Sequence, residues 1–255
     1  MSLLQRRPRA QPHGMTSTRA RNASIWFVLL AGVASSCGGS SKVRTTPTTL
    51  GTSTTTAATT TTSVAGVLDT STAVWPTAAS TRRFADPVAA ARSFATEYLK
   101  MVSPVVGAFR EGDSASGEVP IQATARGPVT TVIVRRLGTG GLGTGSSWWV
   151  LGSATPNIHL TEPAALATIS SPVRLRGNSR AFEATVNLSV REDDNPGALA
   201  ESFTMGGSLE MGAFDATVTY APPKMRSGSI ELYTISSESG HVSEATVIRV
   251  HFSGA

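Results

Sequence analysis

The chain has 255 residues, 40% apolar and 15% charged, with one cysteine and a formal charge of +5. The lone cysteine excludes a disulfide scaffold, and the single long apolar run excludes a multi-span membrane protein. The charge would suit nucleic acid, but Arg6, Arg7, Arg9, Arg19 and Arg21 carry the whole excess; residues 38–255 hold 17 basic and 17 acidic side chains, so no nucleic-acid partner is expected.

No charge lies between Arg21 and Lys42, and Ile25 to Ala34 is an unbroken apolar run. Ten helical residues rise about 15 Å, half the hydrocarbon thickness of a bilayer. That length fits the apolar segment of an export signal and is too short for a span. With the arginines before it and Ala34-Ser35-Ser36-Cys37-Gly38-Gly39 after it, the stretch resembles the lipobox of bacterial lipoproteins. In that family the cysteine past the cleavage point is acylated, and Leu, Val or Ile stands three places before it, where this chain has Ala34. The resemblance implies a signal peptide over 1–36, with Met15 as an alternative start, and lipidation of Cys37. It also implies anchoring on the extracytoplasmic face of the membrane of a bacterium of actinobacterial type, since several acyl chains hold a protein stably. The competing reading is a secreted protein cut at the same bond with a free thiol.

Residues 37–80 read as a disordered linker. Positions 38–80 contain 15 Thr and 6 Ser with almost no charge, too little apolar area to offset the entropy of ordering. As a coil the segment would reach about 35–40 Å. Its threonine runs suit O-linked sugars or a bare spacer. Val64 to Leu68 and Trp75 are apolar enough to dock on the folded part.

Residues 82–154 read as a small α+β domain, one helix on a three- to four-stranded antiparallel sheet. Asp86-Pro87 is a strong helix start; Ala89, Ala90, Phe94, Tyr98, Leu99 and Met101-Val102 keep helical spacing to about 102, before Pro104. Strands are expected over Glu118–Ala125, Val129–Arg136 and Ser147–Gly152. Gly138 to Gly143 spells GxGxxG, but a strand follows where a dinucleotide site needs a helix, so the motif reads as a hairpin loop. Trp148 and Trp149 point to opposite faces of their strand. One belongs in the core; the other packs on the next domain or serves as a binding aromatic.

From Asn157 onward, alternation at period two argues for a β-sandwich over 157–255. Phe182, Ala184, Val186, Leu188 and Val190 form one apolar row, and Phe214, Ala216, Val218 and Tyr220 another. Ile248, Val250 and Phe252 face inward, with Arg249 and His251 on the wet side. Ile169-Ser170-Ser171-Pro172, Gly177, Ala181 to Val186, Gly212 to Val218 and Gly228 to Leu232 together resemble the immunoglobulin-like domain of bacterial spore germination. Ser179 departs from that pattern, which has a small apolar residue there. The resemblance implies an envelope-facing, non-catalytic module and carries no ligand or functional residue.

Chemistry is sparse. His159, His241 and His251 are isolated, no G-x-S-x-G elbow occurs, and no spacing suits a metal. Glu192-Asp193-Asp194-Asn195 reads as a solvated turn rather than a calcium loop. No catalytic residue, metal or cofactor is expected. The favoured reading is a membrane-anchored binding or structural module of the cell envelope, meeting a wall polymer or an envelope protein. The alternative is an extracytoplasmic enzyme or enzyme accessory with a site between the two domains.

Overall fold

The computed structural model describes residues 69–138 and 146–255. The expected signal over 1–36, Cys37, most of the linker and the centre of the glycine loop lie outside the described residues.

Two sheets and one helix build the fold. Strands β1 (Val105–Val106), β2 (Arg110–Asp113), β3 (Ser116–Gln122), β4 (Thr130–Leu137) and β5 (Ser147–Ala154) form one antiparallel array in the order β1-β3-β4-β5, with β2 beside β3. β4 and β5 pair from Leu137↔Ser147 to Thr131↔Ala154, so the GxGxxG stretch does join a hairpin.

Helix α1 (Pro87–Ser93) continues as a wider π turn over Phe94–Tyr98. Asp86 caps it, accepting the Val88 and Ala89 N–H groups at 2.5 and 3.1 Å. The helix stops near Leu99, earlier than the apolar spacing predicts, because Lys100 turns to a φ of 59°. Met101 nonetheless stays buried, so the spacing reported burial correctly and helicity incorrectly. Ala90, Ala91, Phe94 and Ala95 pack on Val119, Ile121, Val132, Val134, Trp148 and Val150.

Residues 69–80 of the expected linker are part of the described fold. Val74 and Trp75 exchange backbone hydrogen bonds with Val150, and Trp148 N–H donates to the Phe84 carbonyl at 2.8 Å. Residues 73–84 thus strap the edge of β5. Their threonines hide the signal, yet Ala73 and Val74 are buried.

The sandwich contains β6 (Ile158–Glu162), β7 (Thr168–Ile169), β8 (Val173–Ser179), β9 (Thr185–Glu192), β10 (Ala200–Met205), β11 (Gly212–Val218), β12 (Ser227–Ile235) and β13 (Val242–Phe252). A three-stranded sheet β11-β8-β6 faces β13-β12-β9-β10. Leu175, Val186, Leu188, Phe214, Ile230, Leu232 and Val250 are the heart of the core between them. The apolar alternation of β9, β11 and β13 locates this core from Val186 onward.

Two expectations fail at that core's margins. Phe182 belongs to a helical turn over Phe182–Ala184 and is 74% exposed. Glu183 and Ala184 adopt φ of 54° and 59°, which breaks the alternation before β9 starts. Ser179 is fully buried and its hydroxyl has no hydrogen-bond partner among the described residues, so it fills space as a small apolar residue would.

The two halves are joined by a sheet. β5 pairs with β13 at Ser153↔Val247, and Ser153 Oγ donates to the Ala245 carbonyl at 2.9 Å. β13, with β7 beside it, continues this array into β12, β9 and β10, giving ten strands. The expected separate domains 82–154 and 157–255 therefore share one sheet. The supposed wet face of β13 is partly covered, by the segment before the strap and the turn after β9, while His251 keeps some exposure. Arg249 is 2% exposed, its guanidinium donating to both Asp193 oxygens at 2.5 and 2.6 Å and its Nε to the Ser71 carbonyl at 2.8 Å.

Candidate functional site

Trp148 and Trp149, the sequence's candidate binding aromatics, are both buried. Trp148 lies in the helix-side core, edge-on to Phe109 at 5.2 Å, with Arg136 over its ring. Trp149, on the opposite face, packs on Ala73 and Leu137 beneath Arg83. The strap and the end of β4 supply the cover for that second ring, so neither indole offers a face to a ligand.

Trp75 and Tyr98 border a cleft instead. A cleft of about 570 Å³ opens between the strap, the end of the helix and the turn after β9. Its floor is the outer face of β9 and β12, where Arg191 stands opposite Ser229. Tyr98 reaches down from the helix and shares a 2.5 Å hydrogen bond with Ser229 Oγ. Arg191 lies over the Tyr98 ring at 5.4 Å and 3.2 Å from Glu231 Oε1. Burial raises the Glu231 carboxyl above the usual range, with Arg191 opposing. Tyr98 is pushed well above its ordinary value by burial and by the Glu231 charge. Neither Arg191 Nε nor Glu231 Oε1 has a hydrogen-bond partner among the described residues.

The cleft walls are held from behind. Trp75 Nε1 donates to Ser93 Oγ at 3.0 Å, and that hydroxyl donates to Glu97 at 2.9 Å. Arg82 bonds the same Ser93 hydroxyl and pairs with Glu97. Across the mouth, Thr77 donates to Asp194. The acidic turn is solvated only in part, with Asp194 and Asn195 exposed and Glu192 and Asp193 drawn inward. Glu192 is buried and accepts the Lys224 and Met225 N–H groups at 2.6 and 3.0 Å and the Asn195 amide at 2.9 Å. These bonds pull its carboxyl below the usual range against the opposing effect of desolvation. Asp193 is committed to Arg249. No group of three or more His, Cys, Asp or Glu is placed to hold a metal among the described residues.

No histidine lines this cleft. His251 Nδ1 stands 2.9 Å from Ser227 Oγ, but that pair borders none of the clefts described here. A second, mostly apolar cleft of about 690 Å³ lies where β5 meets β13, with Ile133, Leu166 and Ile248 in its walls. Sequence reasoning missed the first cleft because its floor and walls come from residues far apart in the chain. Trp75 carried the only local signal, as the one large aromatic in a threonine-rich stretch.

Among the described residues no helix is long and apolar enough to cross a membrane. Strands β6 to β12, the crossing at Gly177 where the His159 backbone and the Phe214 ring pass close over β8, and the cleft floor all lie in the part of the chain that a known family covers. Residues 157–241 match the immunoglobulin-like domain of bacterial spore germination. This germination-type domain supplies β6 to β12 and stops just before β13, so the strand that joins it to β5 lies beyond the match. No curated protein and no solved structure matches the chain.

Proposed function

We propose that the chain is a non-catalytic, membrane-anchored module on the extracytoplasmic face of a bacterial cell, tethered through a lipid on Cys37. It binds an envelope partner, a wall polymer, through the cleft between strap, helix and germination-type domain. The cleft carries this reading. Two aromatic rings stand beside hydroxyl, amide and carboxylate groups that hydrogen bonds already hold in place, the mixture that suits a polar, uncharged chain such as a polysaccharide. A germination-type immunoglobulin-like domain suits a binding or structural module.

Ala79 lines the cleft from its exposed rim, so Ala79→Trp should fill it without touching the core. The purified protein should co-sediment with insoluble cell-wall polysaccharide, and Ala79→Trp should reduce retention at least ten-fold. Equal retention of both proteins removes the cleft from the proposal. In cells, Cys37→Ser should move the protein from membranes into the medium; unchanged membrane retention removes the lipid anchor.

A further inference from the structure

β10 is the last strand of the ten-stranded sheet, and among the described residues it pairs with β9 alone. Native edges are usually guarded by lysine, proline or a bulge; β10 reads Ala-Glu-Ser-Phe-Thr-Met and its pairing with β9 runs without a register shift. Its alternation is inverted. Thr204 points inward and is buried, while Phe203 and Met205 are 63% and 54% exposed. The apolar surface continues past the strand to Leu209, 86% exposed, and to Phe182, which shares with it a cleft of about 530 Å³. The Gly206 N–H bonds the Ala184 carbonyl at 2.9 Å and fastens these two loops together.

Charge says what covers this surface. Glu183, Glu201 and Glu210 are exposed around it, and none of the three is in an ion pair among the described residues. Arg180 is the basic residue adjoining Phe182, and it donates to Asn157 at 2.9 Å. A second copy of the chain would bring the same carboxylates against themselves, and an anionic lipid surface would be repelled. We propose that β10 is the docking edge for an extended segment of a partner protein, apolar at alternate positions and flanked by lysine or arginine. The partner strand takes up the free backbone groups of β10. Its apolar side chains lie beside Phe203 and Met205, and its flanking cations meet the three glutamates. This goes beyond the cleft reading and does not depend on it.

The test uses the full chain and three labelled nonapeptides, read by fluorescence anisotropy. One alternates valine and threonine between pairs of lysines; the second has glutamates in place of the lysines; the third is the lysine peptide N-methylated at alternate backbone positions. The lysine peptide should bind at least ten-fold more tightly than either of the others, and more weakly in 0.5 M salt. Phe203→Ser with Met205→Ser, both at exposed positions, should weaken it at least ten-fold while leaving co-sedimentation with wall polysaccharide unchanged. The proposal is overturned by equal binding of the three peptides, by no binding of the lysine peptide, or by an undiminished affinity of the double variant. It is also overturned if sedimentation shows a dimer that Phe203→Ser dissolves, or if anionic phospholipid vesicles bind the chain through this face.

Discussion

Asp193→Ala tests whether the buried ion pair organises the join between the two halves. The guanidinium of Arg249 is 2% exposed, its partner 12%, and three hydrogen bonds of 2.5–2.8 Å satisfy it. Removing the carboxylate leaves a cation with one neutral acceptor in a place water barely reaches. Breaking a buried pair in this way costs about 3–5 kcal/mol. For a domain of this size each kcal/mol lowers Tm by about 2–4 °C, so a fall of about 6–20 °C is expected. Urea unfolding followed by tryptophan fluorescence gives the free energy directly, because Trp148 and Trp149 sit in the elements that would loosen. Arg249→Met combined with Asp193→Leu deletes both charges and should recover most of the loss, to within about 1 kcal/mol of the parent. If Asp193→Ala alone stays within 1 kcal/mol of the parent, the pair is solvated and the covered face of β13 has been misjudged.

Trp148→Ala empties a site in the helix-side core and should cost about 3–5 kcal/mol in thermal unfolding; an unchanged Tm would mean the ring is a surface feature. Gly177→Ala places a methyl carbon 2.0 Å from the His159 carbonyl and 2.6 Å from the Phe214 ring. Backbone cannot yield there, so a loss of about 1–3 kcal/mol or more is expected, and a parent-like Tm would contradict the crossing. Glu231 is held above the usual carboxylate range by burial, so the folded chain keeps this proton to a higher pH than the unfolded one. Its contribution is fully present below the unfolded value and is lost as pH rises through the folded value. Glu231→Gln should flatten that decline in urea midpoints, and an identical slope in the variant would refute the assignment.

The helix start, the β4–β5 hairpin and the sandwich rows from Val186 onward were legible because each depends on neighbours within a few positions. Asp86 caps its own helix, and a strand repeats its burial every second residue. What escaped was decided by distant chain. The strap is ordered by the free edge of β5, which composition over 69–80 does not reveal. Arg249 and Glu231 occupy the polar side of well-read strands, and both are buried because Asp193 and Tyr98 arrive from elsewhere. Phe182 was misread for a local reason, two successive residues at positive φ, which sequence marks poorly when neither is glycine.

β13 contributes Ala245 and Val247 to the helix-side core and Val250 and Phe252 to the sandwich core. Its strand partners β5, β7 and β12 all precede it in the chain. Neither core is complete without the same eleven residues. This one strand is a shared latch: whatever loosens it opens both cores together.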